Sequence, residues 1–388
     1  MLEYRLPTGV LEVRVDKATW PFHTLIGIAA RNNPRRGFAF VGKLLGKHYP
    51  ADPVQMSRMH LGLAQQLGGL SLPEPITFIG MAETATGLSH GCYEHFKRLK
   101  PESLALYLHS TRYFVGDQER LSFCEPHSHG HQLVAHLPEG GVLSSRFHDS
   151  ATLVLIDDEI TTGTTLLNLL RICHAQQPRL RKVVVVSPLN VMDVDMRREW
   201  AVPGGLDYEF VSLIDAILRF EINPSWEPQA LGGMSAACGS VECALSAAHG
   251  RLGLADAEGG LYAGEISDAL YPHLQRSLPV LVVGTGEFIY PPYRLALSLA
   301  RKGFKVSCQS TTRSPLMIAG DIQHRMEFPS IYSLDHPEYL YNVRPEQYPQ
   351  VIIGCETGPT PALARLCQQL NAFLVHYTDD AFHISGPG

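Results

Sequence analysis

The chain has 388 residues, 45% of them apolar and 18% charged, which supplies a large core and length enough for two domains. Lysine and arginine number 32 against 38 aspartates and glutamates, a net charge of −6, so a broad electrostatic grip on nucleic acid or an anionic membrane is excluded. No apolar run approaches the roughly 20 residues that span a bilayer, no basic stretch leads into an apolar one at the start, and the eight cysteines include no C-x-x-C; reduced thiols and a cytoplasmic location are expected.

Two basic clusters come first, Arg31-Asn-Asn-Pro-Arg35-Arg36 and Gly42-Lys43-Leu-Leu-Gly-Lys47-His48, which by themselves read equally well as an exposed solubilising face. A strand over Ile76–Gly80 runs into the small-residue loop Met81-Ala82-Glu83-Thr84-Ala85-Thr86-Gly87, and a helix follows over Leu88–Arg98. A second strand, Leu104–His109, leads to a long insert, Ser110–Ser150, with Arg112 near its start. The insert contains His127-Ser-His129-Gly-His131, whose imidazoles share one face of an extended chain; this suits a transition-metal site, and a polar lid is the alternative.

The richest stretch is Ala151-Thr-Leu-Val-Leu-Ile-Asp157-Asp158-Glu-Ile-Thr161-Thr162-Gly163-Thr164-Thr165. It reads as a buried strand, an acidic pair, and a turn that opens a helix ending near Gln176. Such a turn can aim N–H groups and hydroxyls at one phosphate, helped by the positive end of the helix dipole, and Gly163 permits close approach. The carboxylates of Asp157 and Asp158 can accept hydrogen bonds from vicinal hydroxyls. A phosphate at one end and a diol at the other describe a ribose 5-phosphate.

Further strands are expected at Val183–Ser187 and Tyr208–Leu213. Short strands alternating with helices predict an α/β fold with parallel sheets. The texture then changes: prolines punctuate Asn223–Pro228 and Gly232–Gly264 is rich in glycine, alanine and serine. This marks a connector over 221–270 between a first domain, 1–220, and a second, smaller α/β domain, 271–388. In the second, strands are expected at Val280–Val283, Lys305–Gln309 and Val351–Gly354, with helices over Tyr293–Lys302 and Pro361–Leu370. Gly284-Thr-Gly286 lacks the third glycine of a dinucleotide fingerprint, and Gln309-Ser-Thr-Thr-Arg-Ser314 groups hydroxyls with Arg313.

The strand, acid pair and Thr-Thr-Gly turn resemble the phosphoribosyltransferase family, and an insert placed after the second strand resembles its orotate-specific members. The order of domains, with Thr312-Arg313-Ser314-Pro315 in the second, resembles two-domain bacterial phosphoribosyltransferases that end in a TRSP domain and are associated with tellurite-resistance and stress gene clusters. The resemblance implies a type I phosphoribosyltransferase-like parallel sheet flanked by helices. It implies transfer of 5-phosphoribosyl from phosphoribosyl pyrophosphate (PRPP), bound with Mg²⁺, to a base-like acceptor. Asp157 and Asp158 would hold the ribose, Thr161, Thr162, Gly163, Thr164 and Thr165 the 5-phosphate, and Met81, Ala82, Glu83 and Thr84 with Arg112 the pyrophosphate. Arg35, Lys43 and Lys47 would belong to an N-terminal hood over the acceptor. In this insert histidines stand where the orotate-type loop is basic. Small-molecule substrates, no nucleic-acid or membrane partner, and a homo-oligomer are expected. The rivals are a non-catalytic PRPP or nucleotide sensor, a metal-dependent hydrolase built on His127, His129 and His131, and a separate reaction in the second domain on the ribosylated product.

Overall fold

The computed structural model describes residues 1–34, 36–124, 132–228, 239–240, 245, 249–256, 261–332 and 336–387. Arg35 and the His127, His129 and His131 run lie outside the described residues. The chain divides into two compact units: a middle unit, Ser57–Leu213 with Ser235–Leu261, and a terminal unit, Met1–Met56, Ile214–Met234 and Tyr262–Gly388. Three of the four crossings between them fall between residues 213 and 262, where the sequence changes texture. Lys43 and Lys47, expected in an N-terminal hood, fall within Met1–Met56, which is grouped with the terminal unit.

The middle unit is built on strands β1 (Ile76–Gly80), β2 (Ala105–His109), β5 (Thr152–Ile156) and β7 (Lys182–Asn190), every residue of which is buried. Continuous apolar runs such as Thr-Leu-Val-Leu-Ile suit strands covered on both faces, the usual condition of a parallel sheet. β1 pairs in parallel with β2 and β5, and β5 with β7. With β8 (Asp207–Ile222) at the end, the order is β2-β1-β5-β7-β8, a doubly wound α/β sheet. β8 runs on past the expected Leu213, and its second half pairs antiparallel with Gly9–Ala18 inside the terminal unit. That half alternates in exposure, so it carries no continuous apolar signal.

Between β2 and β5 the long insert folds into an antiparallel hairpin, β3 (Arg120–Cys124) with β4 (Gln132–His136), and helix α3 (Gly141–His148). Gly250–Leu254, part of the stretch read as connector, lines the edge of β2: Tyr107 N donates to Leu254 O (2.9 Å) and His109 N to Gly250 O (3.1 Å).

Helices α1 (Pro53–Gly68) and α2 (Thr86–Leu99) come into close contact. A Cβ on Gly91 of α2 would lie 2.1 Å from His60 Nδ1 of α1, and a Cβ on Gly80 would lie 1.9 Å from Ser89 Oγ. Both glycines are therefore required by close approach of neighbouring elements.

The terminal unit repeats the strand order. Strands β9 (Val280–Gly284), β10 (Val306–Ser310), β11 (Gln350–Cys355) and β12 (Ala372–Tyr377) are parallel, β13 (Phe382–Ser385) is antiparallel, and the order is β10-β9-β11-β12-β13. Helices Tyr290–Arg301 and Pro361–Leu370 follow β9 and β11. Among the described residues no helix is long and apolar enough to cross a membrane, and the six described cysteines are unbridged.

His60 is 1% exposed, and burial, aided by the charge of His95, lowers its pKa from 6.5 to about 3. The unfolded chain therefore binds a proton on this group below pH 6.5 that the native state refuses. Its contribution to stability is complete above pH 6.5 and is lost at up to ~1.4 kcal/mol per pH unit as pH falls toward 3. Urea titrations between pH 7 and 4 should show a shallower acid decline for His60→Gln than for the wild-type chain; equal slopes would contradict this assignment.

Candidate active site

Ligands of open α/β sheets bind outside the carboxyl ends of the strands, where the order of connection reverses. In the middle unit that point lies between β1 and β5. Their register sets Gly80 opposite Ile156, and β2 brings His109 level with Gly80. Three turns thus leave one edge together: Met81–Ala85 from β1, Ser110–Arg112 from β2, and Asp157–Thr165 from β5.

Backbone and hydroxyl contacts lace the turns together. Met81 N donates to Ile156 O (2.9 Å) and Ser110 N to Gly80 O (2.8 Å). Ser110 Oγ, fully buried, accepts from Ala82 N at 2.9 Å. Ala85 N donates to Met81 O (3.1 Å), and the Ala82–Glu83 peptide is cis. The amides of Met81, Ala82 and Ala85 are thus committed within the protein. Glu83 and Thr84, both half-buried, lie outside that set.

Asp157 and Asp158 are half-buried, neither sunk in the core nor fully exposed. Asp157 N donates to Val186 O (3.0 Å), and Asp158 N donates to Asp157 Oδ1 (2.9 Å), which holds one carboxylate oxygen against the main chain. The chain then pairs as β6 (Glu159–Ile160) with Leu189–Asn190 of β7, and Ile160 is buried. This fixes the entry to the turn. Thr162 Oγ1 lies 2.8 Å from Thr164 Oγ1, Thr162 is exposed, and Thr161, Thr164 and Thr165 are half-buried. Gly163, with φ +67° and ψ 10°, opens helix α4 (Thr164–Gln176), whose first ladder bond runs from Leu167 N to Gly163 O (2.9 Å). A side chain at 163 would be strained by this left-handed backbone and blocked by Trp200, whose Nε1 lies 2.7 Å from the Cβ position. The arrangement can present amides, hydroxyls and a helix N-terminus to an anion, with two carboxylates at one side.

Arg112 is half-buried at the end of β2, next to Thr111, which exchanges backbone hydrogen bonds with Val134 of β4 (2.7 and 2.9 Å). The hairpin is also tied to the turn-bearing helix, since Asn168 Nδ2 donates to Cys124 O (3.1 Å). Ser110 was not singled out by the sequence; a serine after a strand shows its role only when the register places it over the neighbouring loop.

Lys43 and Lys47 belong to the terminal unit and have partners there. Lys43 Nζ lies 3.3 Å from Asp321 Oδ1. Lys47, 1% exposed, donates to Gly286 O at 2.9 Å. Gly286 O also accepts from Ser310 Oγ (2.6 Å), and Gly286 N donates to Thr311 Oγ1 (2.8 Å). The Gly284-Thr-Gly286 turn therefore spends its polar groups on its own neighbours, which agrees with its incomplete fingerprint.

Residues 25–216 match a family model described as phosphoribosyl transferase, and residues 248–370 match one described as the TRSP domain found C-terminal to it. No curated protein matches the chain. Among solved structures, adenine phosphoribosyltransferase of Giardia lamblia bound to 9-deazaadenine is 14% identical, with a TM-score of 0.35 over 50% of this chain and 94% of that one. The Trypanosoma brucei adenine enzyme, in complex with AMP, pyrophosphate and ribose-5-phosphate, gives 12% and 0.35 over 50% and 77%. A hypoxanthine phosphoribosyltransferase of Staphylococcus aureus gives 16% and 0.24 over 41% and 73%. Such distant likenesses carry no argument by themselves.

Ser110→Ala removes the acceptor of a buried amide, which costs about 1–3 kcal/mol. Urea unfolding should show that loss, with Ser110→Thr retaining more of the stability than Ser110→Ala; an unchanged midpoint for Ser110→Ala would contradict the lacing role.

Proposed function

From a chain that carries a phosphoribosyl transferase domain followed by a TRSP domain, we propose that the middle unit transfers 5-phosphoribosyl from PRPP to a nitrogen of a base-like acceptor and releases pyrophosphate. One observation carries the reading: the register of β1, β2 and β5 gathers the acid pair, the Thr-Gly turn and the Met81 loop at one edge, beside the switch point of the sheet.

The scissile bond joins the anomeric carbon to a pyrophosphate oxygen. Its electron pair leaves with the pyrophosphate, positive charge develops on the ribose ring, and a lone pair on the acceptor nitrogen forms the new bond. No protein nucleophile is needed; the protein's task is orientation and charge stabilisation. Thr161, Thr162, Gly163, Thr164 and Thr165 hold the 5-phosphate through amides and hydroxyls. Asp157 and Asp158 accept hydrogen bonds from the ribose hydroxyls, and their negative charge favours the cationic ring. Arg112, with its forked donors, and the Met81–Thr84 loop take the pyrophosphate, the loop through Glu83 and Thr84, since the amides of Met81 and Ala82 are committed to Ile156 O and Ser110 Oγ. Asp157 and Asp158 offer the hard oxygen ligands that Mg²⁺ prefers, and among the described residues no cluster of three or more His, Cys, Asp or Glu could cage a metal, so substrate oxygens and water would complete the shell. When bound, the ion neutralises charge on the departing pyrophosphate.

The test is to incubate the chain with Mg-PRPP and pooled bases or cell extracts, follow pyrophosphate release, and identify the product by mass. Release dependent on an acceptor is expected, with PRPP affinity at least tenfold weaker in Asp157→Asn/Asp158→Asn. Tight PRPP binding without release for any acceptor would favour the sensor; unchanged affinity in the double variant would contradict the assignment of the acids.

A further inference from the structure

The hairpin that ends the sheet of the terminal unit carries two histidines that the transfer reaction does not use. β12 and β13 are antiparallel, and their register sets His376 directly opposite His383. Residues opposite one another in such a pair project from the same face. The turn between the strands pins this register: Thr378 N donates to Ala381 O (2.9 Å), and Thr378 Oγ1 accepts from Ala381 N (3.0 Å). The two rings lie side by side, centroids 6.2 Å apart and planes at 35° to each other. His376 is half-buried and His383 exposed, which gives the pair an approach from solvent.

Two imidazoles this close repel as cations and share a cation as neutral bases. Burial lowers the pKa of His376 from 6.5, a hydrogen bond with the backbone of Glu356 opposes that shift, and the charge of His383 adds to it. The net direction leaves His376 neutral near pH 7, with a lone pair on one ring nitrogen. Because the bond with Glu356 raises the pKa, the ring is its donor, and the lone pair sits on the other nitrogen. A metal-ligating histidine is arranged in this way, its second N–H held by a carbonyl or carboxylate. Asp379 and Asp380, both exposed on the joining turn, add negative charge beside the pair. Cys355, opposite His376 on β11, does not supply a third ligand. Burial pushes its thiol up, and Sγ donates to Thr357 O at 3.3 Å.

We propose that His376 and His383 bind one divalent transition-metal ion, each through one imidazole nitrogen, with water in the remaining positions. Imidazole suits zinc, nickel and copper rather than magnesium, so the site differs in chemistry from the one proposed for PRPP and does not depend on it. Two protein ligands leave it open, as catalytic zinc sites are and structural ones are not. In a tetrahedral shell, bonds of roughly 2.0–2.1 Å from each nitrogen bring the rings closer than 6.2 Å, a rotamer change open to the exposed His383. His376 stands at the carboxyl end of β12, the edge at which ligands of open α/β sheets bind.

The experiment titrates Zn²⁺ by calorimetry into the full chain, freed of metal with a chelator. His383→Gln and His376→Gln should each bind one zinc ion fewer than the wild-type chain. His127→Gln/His129→Gln/His131→Gln should keep that ion, and Mg²⁺ should not displace it. Wild-type crystals soaked in Zn²⁺, which depend on no variant's folding, should show an anomalous peak bonded to both rings. Equal zinc stoichiometry in His383→Gln and wild type overturns the inference. So does loss of the ion in the triple variant, its displacement by Mg²⁺, or a soaked crystal with zinc on one of the two rings or on neither.

Discussion

Parallel strands that end level with one another govern the middle unit. Gly80 lies opposite both Ile156 and His109, and Ile156 lies opposite Val186. In a parallel sheet covered on both faces this register is set by how the buried side chains pack on each face, so a one-residue slip would move every side chain to the opposite face. It is the register that lets Ser110 reach the amide of Ala82 and Met81 reach the carbonyl of Ile156. A site assembled from turns has no rigidity of its own; here it borrows rigidity from the strand ends.

The two units share a strand order but use their turns differently. In the terminal unit Thr285, Ser310 and Thr311 are fully buried, and the hydroxyl of Thr311 donates to Glu338 (2.7 Å) while its oxygen accepts from Gly286 N. Those groups are satisfied by one another. In the middle unit Asp157, Asp158, Thr161, Thr164 and Thr165 remain half-exposed at the equivalent edge. Equal topology therefore does not make equal chemistry, and the difference lies in how far each turn is closed by its surroundings.

Several features were legible in the sequence for definite reasons. β5 stands out because a strand buried on both faces must be apolar without interruption, and an acid pair ends it abruptly. Gly163 stands out because a left-handed residue before a helix favours glycine. Other features depend on partners far along the chain. Trp200 packs against Gly163 across helix α4, strand β7 and helix α5 (Val194–Arg198), and no local pattern announces it. Gly9–Ala18 finds its partner in Ile214–Ile222, so neither segment shows by itself where it belongs. The basic run holding Lys43 and Lys47 looked like material for gripping an anion; Lys47 is instead buried against the Gly286 turn, with Ser310 on the same carbonyl.

A crystal structure of the chain soaked with ribose 5-phosphate tests the central claim most directly. The account predicts the phosphate seated on the Thr161–Thr165 turn and the ribose hydroxyls within hydrogen-bonding distance of Asp157 and Asp158. A sugar phosphate bound at another edge of the sheet, with that turn and both carboxylates untouched, would contradict it.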